Sequence, residues 1–162
     1  MTADPMPATP LDLRELLATL QRHEVEYTVI GGVAVQVHGH RRTTKDLDLI
    51  ADPDRPNLER LASALAELGA HPRDLPGGAP TAEHLASAPV VPPLSTDHGE
   101  LHILRDVPGA PPYEQLRARA LEIEFGGIAL AIAGLDDLIA MKRATGRPGD
   151  QRDIAALTAP PK

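Results

Sequence analysis

Residues 31–50 read GGVAVQVHGHRRTTKDLDLI, and the fold turns on how that stretch divides. Its end, Asp46-Leu47-Asp48-Leu49-Ile50, alternates polar and apolar, the period-2 pattern of a half-buried strand. Residues i and i+2 of a strand share a face. Asp46 and Asp48 therefore stand side by side, while Leu47 and Leu49 turn to the core. At the start, a Gly-Gly pair follows EYTVIG (26–31), a run of β-branched and aromatic residues that reads as a strand. VAVQVHG also carries strand propensity, but the glycine pair followed by small residues favours a short helix. Between helix and second strand runs a basic loop with Arg41, Arg42 and Lys45.

Outward from this centre, Leu13, Leu16, Leu17 and Leu20 fall at i, i+3, i+4 and i+7, the stripe of an amphipathic helix. Leu58, Leu61, Leu65 and Leu68 mark another, with Gly69 as its C-terminal stop. Residues 72–93 hold six prolines and a Gly-Gly pair. They read as a long irregular segment, of the kind that forms a lid or stays disordered. ELHILRDV (100–107) reads as a strand, and a short helix is expected around Tyr113–Ala120. LEIEF and IALAI around Gly126-Gly127 read as a hairpin. Helices are expected from Leu135 and over about Asp150–Thr158. Strands interleave with helices, so the chain predicts an α/β (α+β) fold with a small mixed β-sheet flanked by helices. Residues 1–10, with three prolines, read as a disordered lead-in. A single domain is expected over 11–158, with 134–158 as its C-terminal helical segment.

Composition limits the chemistry. The chain has 162 residues, 42% of them hydrophobic but only 2% aromatic (Tyr27, Tyr113 and Phe125), so the core is aliphatic and base stacking has little to use. There is no cysteine, which removes disulfides and thiolate metal sites. The net charge of −7 argues against a broad nucleic-acid surface but leaves room for a local basic patch. No apolar run approaches a membrane span, and the start of the chain lacks the pattern of a secretory signal. A soluble, cytoplasmic protein with no membrane partner is expected.

Two carboxylates on one strand face repel unless water or cations separate them. Such oxygen donors suit Mg²⁺, which retains waters and adds phosphate oxygens. A solvated acidic edge explains a lone D-x-D equally well. A Gly-Gly turn before a helix can cradle phosphate through backbone N–H groups, or it can be an ordinary tight turn. The order of the parts is more telling than any one of them: Gly-Gly, short helix, basic loop, then D-x-D on a strand. Lys142 lies seven residues after Leu135 and four after Leu138, on an apolar stripe. It either snorkels there or reaches a phosphate. Asp150 and Asp153 are expected to pair with Arg147 or Arg152. The other histidines lack metal-ligand spacing, and no G-x-S-x-G or Walker-type loop is present.

The stretch GGVAVQVHGHRRTTKDLDL resembles the DNA polymerase β-like nucleotidyltransferase superfamily, in particular the bacterial AbiEii-like and related small nucleotidyltransferases. Their pattern of G-G, a variable helix and R-x-T-x-D-h-D-h, with h apolar, is met by Gly31, Gly32, Arg42, Thr44, Asp46 and Asp48. The tail GLDDLIAMKRATGRPGDQRDIAAL is similar to the family's C-terminal segment, and the resemblance spans roughly Glu26 to Leu157. It implies a polymerase β-like nucleotidyltransferase fold. Asp46 and Asp48 would bind Mg²⁺ (or Mn²⁺); Gly31, Gly32, Arg42, Thr44 and Lys142 would contact a nucleoside triphosphate. The implied reaction moves an NMP to an acceptor hydroxyl on a tRNA, a partner protein or a small antibiotic. The family also includes toxin–antitoxin components, so a cognate antitoxin or toxin is a conceivable partner.

One position departs from the pattern. A third carboxylate is expected on a later strand, in a form such as G-x-L-D-L-L. Here that stretch is Gly99-Glu100-Leu101-His102-Ile103-Leu104, with His102 at the aspartate position. His102 could serve as a general base, or Glu100, on the same face, could reach the metal. Loss of activity, leaving a nucleotide- or partner-binding module, is the third reading.

Overall fold

The computed structural model describes residues 9–159. The irregular lead-in expected over 1–10 lies outside them except for Thr9 and Pro10. Seven strands form one mixed sheet in the order β3-β4-β5-β2-β1-β7-β6. The strands are β1 (Tyr27–Ile30), β2 (Asp46–Ala51), β3 (His71–Pro72), β4 (Leu94–Thr96), β5 (Gly99–Ile103), β6 (Leu121–Phe125) and β7 (Ile128–Ile132). The helices are α1 (Leu13–Arg22), α2 (Gly31–Val37), α3 (Arg55–Glu67), α4 (Ala82–Ser87), α5 (Tyr113–Ala118), α6 (Leu135–Thr145) and α7 (Pro148–Thr158).

The centre of the sheet is β5-β2-β1-β7, in which β2 pairs with β5 and β1 with β7 in parallel, while β1 and β2 are antiparallel. Alternation along these strands divides the sheet into two unlike faces. Val29, Leu47, Leu49 and Leu101 point into the main core with Leu16, Leu17 and Leu20 of α1 and Leu61 and Leu65 of α3. Ile30, with Leu116 of α5 and Met141 of α6, makes a smaller cluster on the opposite face. Asp46, Asp48, Glu100 and His102 alternate with the main-core residues of their strands and share that less covered face. The sheet therefore shows its carboxylates where the covering layer is thin.

Local chemistry explains the element boundaries. Asp12 caps α1 by accepting from the Glu15 N–H at 3.2 Å. Asn57, 2% exposed, ties three elements together. Its Oδ1 accepts from the Glu26 N–H at 2.7 Å, and its Nδ2 donates to the carbonyls of Glu26 and Asp52 at 2.9 Å each. It fixes α3 to the start of β1 and the end of β2. Sequence reading passed over Asn57, whose only signal is an amide in a helical first turn.

The Pro-rich stretch is more ordered than its composition suggests. It contains α4, capped by Thr81 accepting from the His84 N–H at 3.1 Å. Leu85 and Val91 are buried in the main core. The strand expected to 107 ends at Ile103, and Asp106 has a φ of 49°. Arg105 donates to the carbonyls of Leu85 and Ala88 at 2.7 Å each and of Ala86 at 3.1 Å. Those are carbonyls at the C-terminal end of α4 that a helix leaves without partners. Among the described residues, no helix is long and apolar enough to cross a membrane.

Candidate active site

The parallel register of β2 and β5 places Asp46 beside Glu100 and Asp48 beside His102. Four residues read separately from sequence thus meet on one face. His102 Nδ1 stands 2.9 Å from Asp48 Oδ1, and its Nε2–H donates to Glu100 Oε2 at 3.1 Å. Glu100 in turn accepts from Arg73 Nη1 at 2.5 Å. Ligand atoms of Asp46, Asp48 and His102 lie within 4.8 Å of one another. Glu100 does not join that group; its carboxylate is held by His102 and Arg73 instead.

Electrostatics follow from this crowding. Burial raises the Asp46 pKa, helped by the charge of Asp48, while His102 lowers it. The adjacent Asp48, foremost, then the charges of Asp46 and Glu100, outweigh burial and push the His102 pKa up to about 8.

The Gly-Gly pair meets β2 at contact distance. The helix α2 begins at Gly31 itself, directly from β1, with a φ of 70° that side chains other than glycine rarely adopt. A Cβ on Gly31 would lie 2.1 Å from Asp48 Oδ2; one on Gly32 would lie 3.0 Å from Thr44 Oγ1 and 3.5 Å from Arg42 Nε. The glycines thus let the D-x-D strand and the R-x-T approach close on the start of α2. Thr44 Oγ1 is buried there without a hydrogen-bond partner, and so is Asp48 Oδ1, whose contact with His102 is close but not aligned as a hydrogen bond.

Across the cleft, Lys142 is nearly buried, with 11% of its side chain exposed. Its Nζ lies 3.0 Å from Asp150 Oδ1 and 3.1 Å from Asp153 Oδ2. Arg42 Nη1 reaches Asp153 Oδ2 at 2.5 Å. Arg147 does pair with Asp150, as the sequence suggests, at 3.1 Å, but Lys142 and Arg42 are the partners that draw these acids to the site. Arg152 makes no ion pair with either among the described residues. His38 Nε2 contacts the carbonyl of Ala133 at 2.9 Å and is a structural tie.

Together these groups line a cleft of about 580 Å³, in which Asp46, Asp48 and His102 share the wall with Arg42, Lys45 and Lys142. A second cleft of about 570 Å³ opens near the start of β1, lined by Glu24, Glu26 and Glu122. Arg117 also lines it, paired with Glu122 at 2.9 Å, but it holds none of the orphaned buried oxygens of the first. The donor set fits a divalent cation: oxygen and imidazole ligands converge, and Asp48 Oδ1 is a buried acceptor without a donor.

No protein-family model and no curated protein matches the chain. Solved structures do. A nucleotidyltransferase-like protein from Paracoccidioides brasiliensis superposes with a TM-score of 0.57 at 18% identity, over 92% of this chain and 78% of that one. The antibiotic-resistance factor ANT(2″)-Ia in solution gives 0.56 at 15% identity, over 91% and 82%. Its crystal structure in complex with adenylyl-2″-tobramycin gives 0.54 at 14%, over 91% and 87%. The chain has the nucleotidyltransferase fold. At these identities the likeness extends to the fold alone. In that nucleotidyltransferase fold, the mixed sheet carries its acids on the thinly covered face, with α2 starting against them.

Proposed function

We propose that this chain is a metal-dependent nucleotidyltransferase of the AbiEii-like kind, acting in the cytoplasm, where nucleoside triphosphate is supplied. The observation that carries the reading is the convergence of Asp46, Asp48 and His102 ligand atoms within 4.8 Å, in one cleft with Arg42 and Lys142. Acids for a cation and cations for phosphate face each other there.

In the proposed reaction an acceptor hydroxyl attacks the α-phosphate in line. A bond forms from that oxygen to phosphorus as its O–H bond breaks and the proton passes to solvent water, the bond to the bridging oxygen breaks, and pyrophosphate leaves. Bound Mg²⁺ or Mn²⁺ would supply charge stabilisation to the entering and leaving oxygens. Asp46 and Asp48 would hold that cation. Arg42 and Lys142 offset charge gathering on the leaving phosphates. Gly31 and Gly32 let backbone approach the triphosphate, and Thr44 offers a buried hydroxyl beside them. Asp150 and Asp153 keep Lys142 and Arg42 aimed at the cleft until phosphate oxygens compete for them.

The proposed acceptor is a hydroxyl of a tRNA, a partner protein or a small antibiotic, with a toxin–antitoxin role attached to the first. The adenylylated tobramycin in the ANT(2″)-Ia complex motivates including aminoglycosides in the assay. Each labelled triphosphate is incubated with the protein, Mg²⁺ or Mn²⁺, and total tRNA or an aminoglycoside panel. Label transfer is expected with the natural sequence. Asp46→Asn is expected to lose at least about a hundredfold, the scale of deleting one charge-stabilising group. Full activity in Asp46→Asn would sink the reading.

His102 at the third acidic position favours a second reading, a module that binds nucleotide or a partner protein without turnover. A thermal shift with triphosphate in the absence of any label transfer is the outcome that would select it.

A further inference from the structure

We propose that His102 Nδ1 is the third metal ligand beside Asp46 and Asp48, held in that role by Glu100 and Arg73, and that this two-oxygen, one-nitrogen set selects a first-row transition ion over Mg²⁺. The inference rests on the metal-dependent reading above and specifies its cofactor.

Three observations carry it. First, the ligand atoms of Asp46, Asp48 and His102 lie within 4.8 Å of one another, close to the roughly 4 Å that separates opposite ligands of one ion with bonds of about 2.1 Å. Glu100, the other candidate for the third position, stands outside that group. Second, Glu100 Oε2 accepts from His102 Nε2–H at 3.1 Å. A carboxylate can only accept, so this bond keeps the proton on Nε2 and leaves Nδ1 as the nitrogen available to a cation. A carboxylate behind a ligating imidazole is the usual means of fixing its tautomer and ring orientation. Arg73, at 2.5 Å, fixes Glu100 in turn. Third, Asp48 Oδ1 and His102 Nδ1 lie 2.9 Å apart. Oxygen and nitrogen stand side by side, as two neighbouring ligands of one ion do.

The choice of ion follows from donor chemistry. Mg²⁺ prefers an all-oxygen octahedron and dehydrates reluctantly, whereas imidazole donors favour transition ions in the order Mn²⁺ < Co²⁺ < Ni²⁺. Replacing a carboxylate by a neutral imidazole also removes one negative charge, which weakens a hard cation most. Glu100 and Arg73 are positioning residues in this scheme and touch neither cation nor substrate.

The test uses the full chain with inorganic tripolyphosphate, which supplies phosphate oxygens and no nitrogen. Co²⁺, Mn²⁺ and Mg²⁺ are titrated separately by calorimetry into the natural sequence, His102→Asp and Glu100→Gln. The natural sequence is expected to bind Co²⁺ at least about tenfold more tightly than Mg²⁺. His102→Asp is expected to gain Mg²⁺ affinity and narrow that ratio. Glu100→Gln should weaken Co²⁺ by about 10–100-fold, the scale of second-layer changes, with its thermal midpoint retained. Pulsed EPR of bound Mn²⁺ should show directly bonded ¹⁴N coupling in the natural sequence and none in His102→Asp. Cation binding without ¹⁴N coupling, or an equal Co²⁺:Mg²⁺ ratio in the natural sequence and His102→Asp, overturns the inference and leaves the transferase reading standing. Failure of all three cations to bind the natural sequence overturns both.

Discussion

Gly31 carries two constraints at once. Its φ of 70° is costly for an L side chain, and its missing Cβ is the space that Asp48 Oδ2 fills, 2.1 Å from where that atom would be. Gly39, with a φ of 101°, has nothing within 4 Å of a built Cβ and isolates the first constraint from the second. Alanine at either position is expected to cost about 1–2 kcal/mol of stability through backbone strain. Only Gly31→Ala is expected to abolish cation binding as well, because Asp48 must rotate away. Calorimetric titration of both variants with Mn²⁺ checks this, and equal binding by the two would refute the role given to Gly31. His102 shows the same dependence on neighbours. Its place in the chain marks a missing carboxylate, but its contacts with Asp48 and Glu100 decide what it can do.

At the scale of elements, α6 and α7 are joined through Asp150, 4% exposed, which accepts from Thr145 Oγ1 at 2.6 Å and Lys142 Nζ at 3.0 Å. Burial alone would raise its pKa. Hydrogen bonds from Thr145, Lys142 and Arg147 outweigh burial and hold it well below the usual carboxylate range. A depressed carboxylate pKa stabilises the fold above the unfolded value, near 3.8, and that contribution is lost as pH falls toward the folded value. Urea unfolding is therefore expected to lose stability steeply below about pH 4. Asp150→Asn should remove part of that slope and cost about 1.5–3 kcal/mol at neutral pH, the range for hydrogen bonds to charged groups. A slope unchanged in Asp150→Asn would remove Asp150 from the acid response.

Across the whole molecule, stability should follow the division of the sheet. The central strands β1 and β2 are bonded on both sides and contribute Val29, Leu47 and Leu49 to the main core, each 0% exposed. Residues 74–78 are largely exposed and lie outside helices and strands. Hydrogen exchange is expected to be slowest for the β1 and β2 amides and fastest for 74–78, with α4 between them because Leu85 and Arg105 anchor it. Exchange in α4 as fast as in 74–78 would mean that this anchor fails. The cleft lies over the protected strands, so the acids stand on the most rigid part of the molecule.

Much of this arrangement was legible in the linear chain. Period-2 alternation put Asp46 and Asp48 on one face and Leu47 and Leu49 in the core, and the Gly-Gly pair marked the strand-to-helix turn. These are local properties of backbone geometry, readable from a few adjacent residues. The small helix α4 was hidden by flanking prolines, since the burial of Leu85 depends on contacts remote in sequence. The β2/β5 register was equally out of reach. It joins residues more than fifty positions apart and decides that His102 meets Asp48, that Glu100 turns to His102 and Arg73, and that the acids face Lys142 across a cleft. Chain connectivity determined which groups each strand offers to its exposed face; only the packing of non-neighbouring strands decided which of them meet, because pairing register is settled by the whole sheet and its core.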